Sequence, residues 1–166
     1  MKDTILIDFD GVIRHWSGTE VKDAEHRLGL DSGTLFSWAF SPPLLLPAIT
    51  GIISHEEWSE RVKAKLTHLY GEAISSQLIS TWQAASWEIN TDFLRDLKQL
   101  TSTFKLVLVT NATSRLDSDL SKAGLESAFD AVVNSSKIHV AKPELKFFEK
   151  ARSLYCRQPS RAFNIY

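Results

Sequence analysis

The chain has 166 residues, of which 43% are hydrophobic and 23% are charged. This composition is typical of a globular protein with one sizeable core and excludes an intrinsically disordered chain. The net charge is -1, and no block of Lys or Arg stands out, which disfavours a nucleic-acid-binding protein.

The N-terminal sequence and the cysteine content indicate the cellular compartment in which the protein is expected. Acidic residues occur within the first ten positions, which disfavours a signal peptide, and the longest purely apolar run, "LLLPAI", is too short to span a bilayer. Cys156, the one cysteine of the sequence, excludes an internal disulfide and is interpreted as an ordinary thiol. We therefore expect a cytoplasmic monomer or homodimer without nucleic-acid or membrane partners.

Four short apolar runs are predicted to form one parallel sheet. They lack the alternation of a half-exposed strand, which favours burial on both faces. In chain order they are Thr4–Phe9, Lys105–Val109, Ala131–Val133 and Ala162–Tyr166. Helices are predicted in "TDFLRDLKQL", "SRLDSDLSKAG" and "PELKFFEKARSLY", with Pro143 in the first turn of the last. This order predicts a doubly wound α/β fold with a Rossmann-like parallel sheet.

About 75 residues separate the first strand from the helix at Asp92, too many for a simple connection. In this stretch "SHEEWSERVKAKLTHLYG" begins with a capping box from Ser54 to Glu57, and "AISSQLISTWQAA" follows with its own apolar stripe. We therefore predict a discontinuous core of residues 1–16 and 90–166, and a helical domain of residues 17–89.

Polar residues follow the predicted strands where the carboxyl ends of a parallel sheet meet. Asp8 and Asp10 end the first run, "TNATS" begins at Thr110 after the second, and Lys142 precedes the last predicted helix. Ligands bind at this edge in open α/β sheets. Because buried carboxylates need a positive partner, we expect two carboxylates, a hydroxyl and an amine to face one crevice.

This set of groups suits attack by a carboxylate on phosphorus, which gives an acyl-phosphate intermediate. A second acid would protonate the leaving alkoxide and then deprotonate a water molecule. Lys142 and a Mg²⁺ ion would offset the negative charge of two carboxylates and a phosphate group.

The segments "DFDGV", "LVTNAT" and "AKPELKFF", in this order, resemble the haloacid dehalogenase superfamily of hydrolases. The helical stretch after the first motif is similar to the inserted α-helical cap domain of that family. The resemblance implies that Asp8 is the nucleophile and a Mg²⁺ ligand, and that Asp10 is the general acid/base and binds Mg²⁺ through its carbonyl. It further implies that Thr110 supplies a catalytic, phosphate-binding hydroxyl, that Asn111 binds phosphate, and that Lys142 orients Asp8 and the phosphoryl group.

The pattern favours a Mg²⁺-dependent phosphatase that acts on a small phosphorylated metabolite. Asp10 disfavours a 2-haloacid dehalogenase, because family members that cleave carbon–halogen bonds usually lack this second aspartate. The other alternative is a truncated or degenerate, non-catalytic protein of this fold. In the family, further Mg²⁺-binding aspartates follow the last strand, and we expect them directly after Tyr166, where the sequence stops.

Two histidines lie near these motifs. His139, in "KIHVAKPE", stands where close relatives tend to have glycine, and is expected either to touch substrate or to lie in a loop. His15 follows the first motif and is a candidate for the pocket mouth. The histidines without metal-ligand spacing, interpreted as surface or core residues, include His26, His55 and His68. Trp38 and Phe40 are interpreted as core or hinge residues, although a cap loop over the active site would also use such groups.

Overall fold

The computed structural model describes residues 3–155 and 162–165, with side chains over 3–154. In chain order the elements are β1 (Asp3–Ile7), β2 (Arg14–Trp16), α1 (Thr19–Arg27), α2 (Thr34–Ala39), α3 (Pro42–Ile49), α4 (His55–Tyr70), α5 (Glu72–Ala84), β3 (Trp87–Ile89), α6 (Thr91–Leu100), β4 (Phe104–Thr110), α7 (Leu116–Lys122), β5 (Ala131–Asn134), α8 (Ser135–Ile138), α9 (Leu145–Tyr155) and β6 (Ala162–Ile165). Cys156 and Tyr166 lie outside the described residues. Within those residues, no helix has the length and hydropathy needed to cross a membrane.

The central sheet of the described chain is parallel and has the strand order β5–β4–β1–β6. Ile7 of β1 is level with Leu108 of β4 and with Ile165 of β6. At the end of β4, Thr110 is level with Asn134 of β5. The carboxyl ends of the strands therefore meet at one edge, which confirms the predicted Rossmann-like sheet.

Both faces of the sheet are covered, as the unbroken apolar runs predict. Successive residues of β1 and β4 point to opposite faces. Against α6 and α7 the sheet packs a buried cluster that includes Ile5, Ile7, Leu94, Leu97, Leu106, Leu108, Leu116 and Leu120. Against α9 it packs a second cluster that includes Leu6, Val107, Val109, Val133, Phe147 and Ala151. The α/β fold class is confirmed.

Residues 17–86, which we call the helical insert, contain α1 to α5. The two ends of the insert are held together by antiparallel pairing of β2 with β3. The insert has its own buried cluster, which includes Val21, Leu35, Ala39, Trp58, Val62, Leu66, Leu78 and Ile79. The domain limits of 1–16, 90–166 and 17–89 stay predictions.

The sequence predicted the start of one helix correctly and the start of another wrongly. The Ser54 hydroxyl accepts a hydrogen bond from the Glu57 N–H at 3.1 Å, so α4 begins at the predicted capping residue. The prediction that Pro143 lies in the first turn of the last helix is wrong, because α9 begins at Leu145. The residues before this helix instead form a turn, closed by a 3.0 Å hydrogen bond from Glu144 N–H to the Ala141 carbonyl.

The helical insert meets the sheet domain closely at Gly51. A Cβ at this position would lie 2.1 Å from the backbone oxygen of Ser136, closer than atoms can approach. Beside it, the His139 ring donates from Nδ1 to the Thr50 carbonyl at 2.9 Å. His139 therefore joins the loop after α8 to the helical insert.

Replacing Gly51 by alanine is expected to destabilise the protein more than replacing Gly29. Both glycines have a φ of +71°, so both variants incur the strain of a left-handed alanine, about 1 kcal/mol. Gly29 has open space around it, whereas Gly51→Ala adds a clash with Ser136, for which we expect about 1–3 kcal/mol more. Denaturant unfolding of both variants measures the difference. Equal losses in the free energy of unfolding would contradict the close approach of Gly51 to Ser136.

Candidate active site

Asp8 lies directly after β1 and has a partner on each carboxylate oxygen. Oδ2 lies 2.6 Å from Lys142 Nζ, and Oδ1 accepts a hydrogen bond from the Phe9 N–H at 2.8 Å. The Asp8 side chain is 26% exposed and that of Lys142 is 13% exposed. The amine that the sequence predicts as a partner for the paired aspartates thus contacts the first of them.

Asn111 holds the backbone of Lys142. The Lys142 N–H donates to Asn111 Oδ1 at 2.7 Å, and Asn111 Nδ2 donates back to the Lys142 carbonyl at 2.9 Å. The ammonium also donates to the Val109 carbonyl at 3.2 Å. Asn111 therefore fixes the position of Lys142, and its predicted contact with phosphate stays a prediction.

Thr110 is the last residue of β4 and is 1% exposed. Because Ile7 is level with Leu108 in the sheet, Asp8 and Thr110 lie at the ends of neighbouring strands, at the same edge. This placement is compatible with the predicted phosphate-binding hydroxyl, whose role stays a prediction.

Asp10 is bound by side chains that the sequence did not single out. Its Oδ1 accepts from Arg14 Nε at 2.7 Å and from Trp16 Nε1 at 3.1 Å, and its Oδ2 accepts from Arg14 Nη2 at 3.0 Å. Arg14 also donates from Nη1 to Asp119 Oδ2 at 2.6 Å. The guanidinium thus links the first motif to α7.

Arg14 is a buried charge with two carboxylate partners. Its side chain is 6% exposed, and that of Asp119 is 7% exposed. Burial lowers the pKa of Arg14, but the hydrogen bonds and charges of Asp10 and Asp119 outweigh burial and raise it. The guanidinium also lies 4.6 Å from the ring centroid of Phe9. These contacts keep Arg14 charged and fix the orientation of Asp10.

His55, Thr113 and Arg115 join the helical insert to the loop after β4. Arg115 Nη1 donates to His55 Nε2 at 2.9 Å, and His55 Nδ1 lies 3.0 Å from Thr113 Oγ1. Burial, followed by the charge of Arg115, lowers the pKa of His55. A neutral imidazole with its proton on Nδ1 satisfies both contacts, because Nε2 then accepts.

A cavity of about 410 Å³ opens between the helical insert and the loop after β4. Asp10, Asn111 and Arg115 line its end toward the sheet. The wall on the insert side includes Phe36, Phe40, Leu45, Ile49, Trp58 and Trp82. Among the described lining residues, none is Asp8, Thr110 or Lys142; Asp10 and Asn111 are the predicted site residues that line the cavity.

The two histidines near the motifs are not in the described wall of this cavity. His15 is an exposed residue of β2 and pairs with Glu88 in the two-stranded sheet. His139 binds the Thr50 carbonyl. By contrast, His55, interpreted from the sequence as a surface or core residue, lines the cavity.

The donor set at the strand end is suitable for Mg²⁺ with respect to ligand type. Mg²⁺ prefers oxygen, is commonly held by one or two carboxylates and keeps several waters. Each Asp8 oxygen makes one of the contacts given above, which leaves a lone pair for a cation. Over residues 3–155 and 162–165 no group of three or more His, Cys, Asp or Glu side chains is arranged to hold a metal. The Asp8 carboxylate therefore suits a largely hydrated ion, and the predicted Mg²⁺ ligand role of the Asp10 carbonyl stays a prediction.

Comparison with solved structures places this fold among known enzymes. A haloacid dehalogenase (HAD) family enzyme from Bacteroides thetaiotaomicron, solved with magnesium and inorganic phosphate, superposes with a TM-score of 0.74 at 18% identity, over 99% of this chain and 84% of the other. A predicted HAD-like hydrolase from Porphyromonas gingivalis gives 0.70 at 21% identity, over 99% and 81%. The L-2-haloacid dehalogenase from Xanthobacter autotrophicus, with chloropropionic acid covalently bound, gives 0.61 at 17% identity, over 99% and 69%.

No protein-family model and no curated protein matches the sequence. The structural likeness extends over 99% of this chain. In this chain the contact between Asp8 and Lys142 joins the first and the last of the three sequence motifs. The chain therefore has the fold of the haloacid dehalogenase superfamily, as its sequence motifs predicted.

Proposed function

We propose that the chain is a Mg²⁺-dependent hydrolase of the haloacid dehalogenase type that cleaves phosphate monoesters through an aspartyl phosphate on Asp8. The observation that carries the proposal is the 2.6 Å contact of Lys142 Nζ with Asp8 Oδ2 at the carboxyl edge of the sheet. A structural neighbour that was solved with magnesium and inorganic phosphate supports phosphorus as the reacting centre.

The reaction is proposed to proceed in two displacements. An Asp8 oxygen attacks phosphorus, and the bond from phosphorus to the leaving oxygen breaks. Asp10, which carries a proton at the start of this step, gives it to that oxygen. Asp10 then takes a proton from water, the water oxygen attacks phosphorus, and the bond to Asp8 breaks. The products are an alcohol and inorganic phosphate, and both aspartates return to their starting state.

The neighbouring residues have supporting roles in this proposal. Lys142 orients Asp8 and offsets the charge of the phosphoryl group, and Asn111 holds Lys142 in place. Thr110 is proposed to bind a phosphate oxygen. Bound through Asp8 and the Asp10 carbonyl, Mg²⁺ would neutralise charge between carboxylate and phosphate. The helical insert is proposed to act as a cap that excludes water during the reaction.

Release of inorganic phosphate from a generic aryl phosphate tests the activity, with Mg²⁺ and with a chelator. We expect release that requires the metal, because the Asp8 carboxylate and a phosphate dianion repel one another without it. The parallel assay is halide release from 2-chloropropionate. Chloride release without phosphate release would contradict the phosphatase and establish the dehalogenase alternative. No release in either assay would contradict hydrolysis and favour the non-catalytic alternative.

A further inference from the structure

We infer that the phosphate monoester carries a compact apolar alcohol with an aromatic ring, held in the cavity beside Asp10. This inference rests on the proposed function, since it names the substrate class for the same site. Two observations support it: the aromatic side chains of the cavity wall, and the pairing of the polar groups at the end of the cavity toward the sheet.

The wall on the insert side is a continuous aromatic surface. Phe36 and Phe40 stack with ring centroids 5.5 Å apart, and Phe36 meets Trp82 edge to face at 6.5 Å. Trp82 in turn meets Trp58 edge to face at 5.0 Å. The indole N–H of Trp58 donates to the Ala39 carbonyl, so its polar atom is already paired. A ring in this cavity would contact aromatic carbon, for which offset and edge-to-face geometries are favourable.

The charged side chains at the end of the cavity toward the sheet are paired with one another. Arg14 donates from all three guanidinium nitrogens to Asp10 and Asp119. Arg115 donates from Nε to Asp119 and from Nη1 to His55. A sugar or polyol in the cavity would lose hydrogen bonds to water and gain few in return, which is costly. An apolar alcohol loses no such bonds and gains from leaving water.

The size and exposure of the cavity fit a ring compound. Its volume of about 410 Å³ lies within the range usual for small-molecule sites, about 300–1,000 Å³. Phe40 is 52% exposed although it lines the cavity, so an apolar ligand would cover aromatic surface that water now contacts. Since Asp10 borders the same space, the leaving oxygen of such a ligand would lie beside the proposed acid.

The test compares two phosphate esters of primary alcohols, 2-phenylethyl phosphate and glycerol 1-phosphate. Both release an alkoxide, so a preference for the first does not come from an activated leaving group. We expect kcat/KM to be higher for 2-phenylethyl phosphate by at least about tenfold, the scale on which apolar pockets discriminate. Equal values, or a preference for glycerol phosphate, would overturn the inference and leave the phosphatase intact.

Phe40→Ala tests the wall directly. Because Phe40 is 52% exposed, we expect the variant to keep the folded core. We expect the variant to lower kcat/KM for 2-phenylethyl phosphate several-fold more than kcat/KM for glycerol 1-phosphate, so that the ratio of the two values falls. The matched control is Ile52→Ala, an apolar residue 77% exposed and outside the described cavity wall, which should change neither value. A Phe40→Ala variant with unchanged selectivity would contradict the assigned wall.

Binding of 2-phenylethylphosphonate, which cannot be hydrolysed at the P–C bond, separates this inference from the proposed activity. Trp58 and Trp82 line the cavity, so binding should change tryptophan fluorescence. Binding that Phe40→Ala weakens, with no turnover of either ester, would support the ligand class while the phosphatase fails. No binding and no turnover would overturn both.

Discussion

Asp8→Asn is expected to lower phosphate release by at least about 10³-fold, the scale of loss when a covalent nucleophile is removed. Asparagine has the shape of aspartate but cannot form the acyl phosphate. The Lys142 ammonium keeps its 3.2 Å hydrogen bond to the Val109 carbonyl, so the site is expected to remain assembled. Steady-state phosphate release with Mg²⁺ measures the change.

The matched control for this variant is Asp96→Asn. Asp96 lies on α6 with its side chain 69% exposed, and its contact with Arg95 is a long 3.9 Å. We expect full activity in the control and similar thermal unfolding in both variants. Turnover in Asp8→Asn close to that of the unsubstituted chain would exclude Asp8 as the nucleophile.

Arg14→Met is expected to reduce the free energy of unfolding by about 3–5 kcal/mol, the usual loss when one partner of a buried ion pair is removed. Methionine fills much of the same space without charge. Asp119, whose side chain is 7% exposed, would keep only its contact with Arg115 at 3.2 Å, among the ion pairs of the described residues. Asp10 would lose the two-pronged contact that fixes its carboxylate.

Arg61→Met provides the comparison for Arg14. Arg61 contacts Glu57 at 2.7 Å on α4, but both side chains are 47% exposed, and such pairs contribute about 0.3–0.5 kcal/mol. Denaturant unfolding should therefore show a large loss for Arg14→Met and a small one for Arg61→Met. Similar losses would show that the Arg14 pairs do not stabilise the fold beyond a surface contact.

The sheet was predictable because its strands are continuous apolar runs, a signal that does not depend on distant residues. Asp8 and Lys142 were predictable as site residues for a related reason. Asp8 follows the first strand and Lys142 precedes the last helix, and the topology of a parallel sheet brings these two positions together. The first half of the helical insert was less predictable, because α2 and α3 are short and lack a long apolar stripe.

The contacts that Arg14 and His55 make around the site were not predictable from the local sequence pattern. Arg14 and Asp119 are 105 positions apart, and no spacing rule connects a residue of β2 with one of α7. His55 likewise meets Arg115 only because α4 begins against the loop after β4. The one sequence signal for Arg14 was its position four residues after Asp10, which has meaning only once the turn at Phe9–Arg14 is known.

The most direct test of a phosphatase that reacts through Asp8 is to trap the covalent intermediate. The chain is mixed with an aryl phosphate and Mg²⁺, quenched in acid during turnover, and digested for mass spectrometry. If Asp8 is the nucleophile, one phosphoryl group will be found on Asp8, and hydroxylamine will remove it, as expected for an acyl phosphate. Steady turnover with Asp8 unmodified, or with the phosphoryl group on another residue, would exclude Asp8 as the nucleophile.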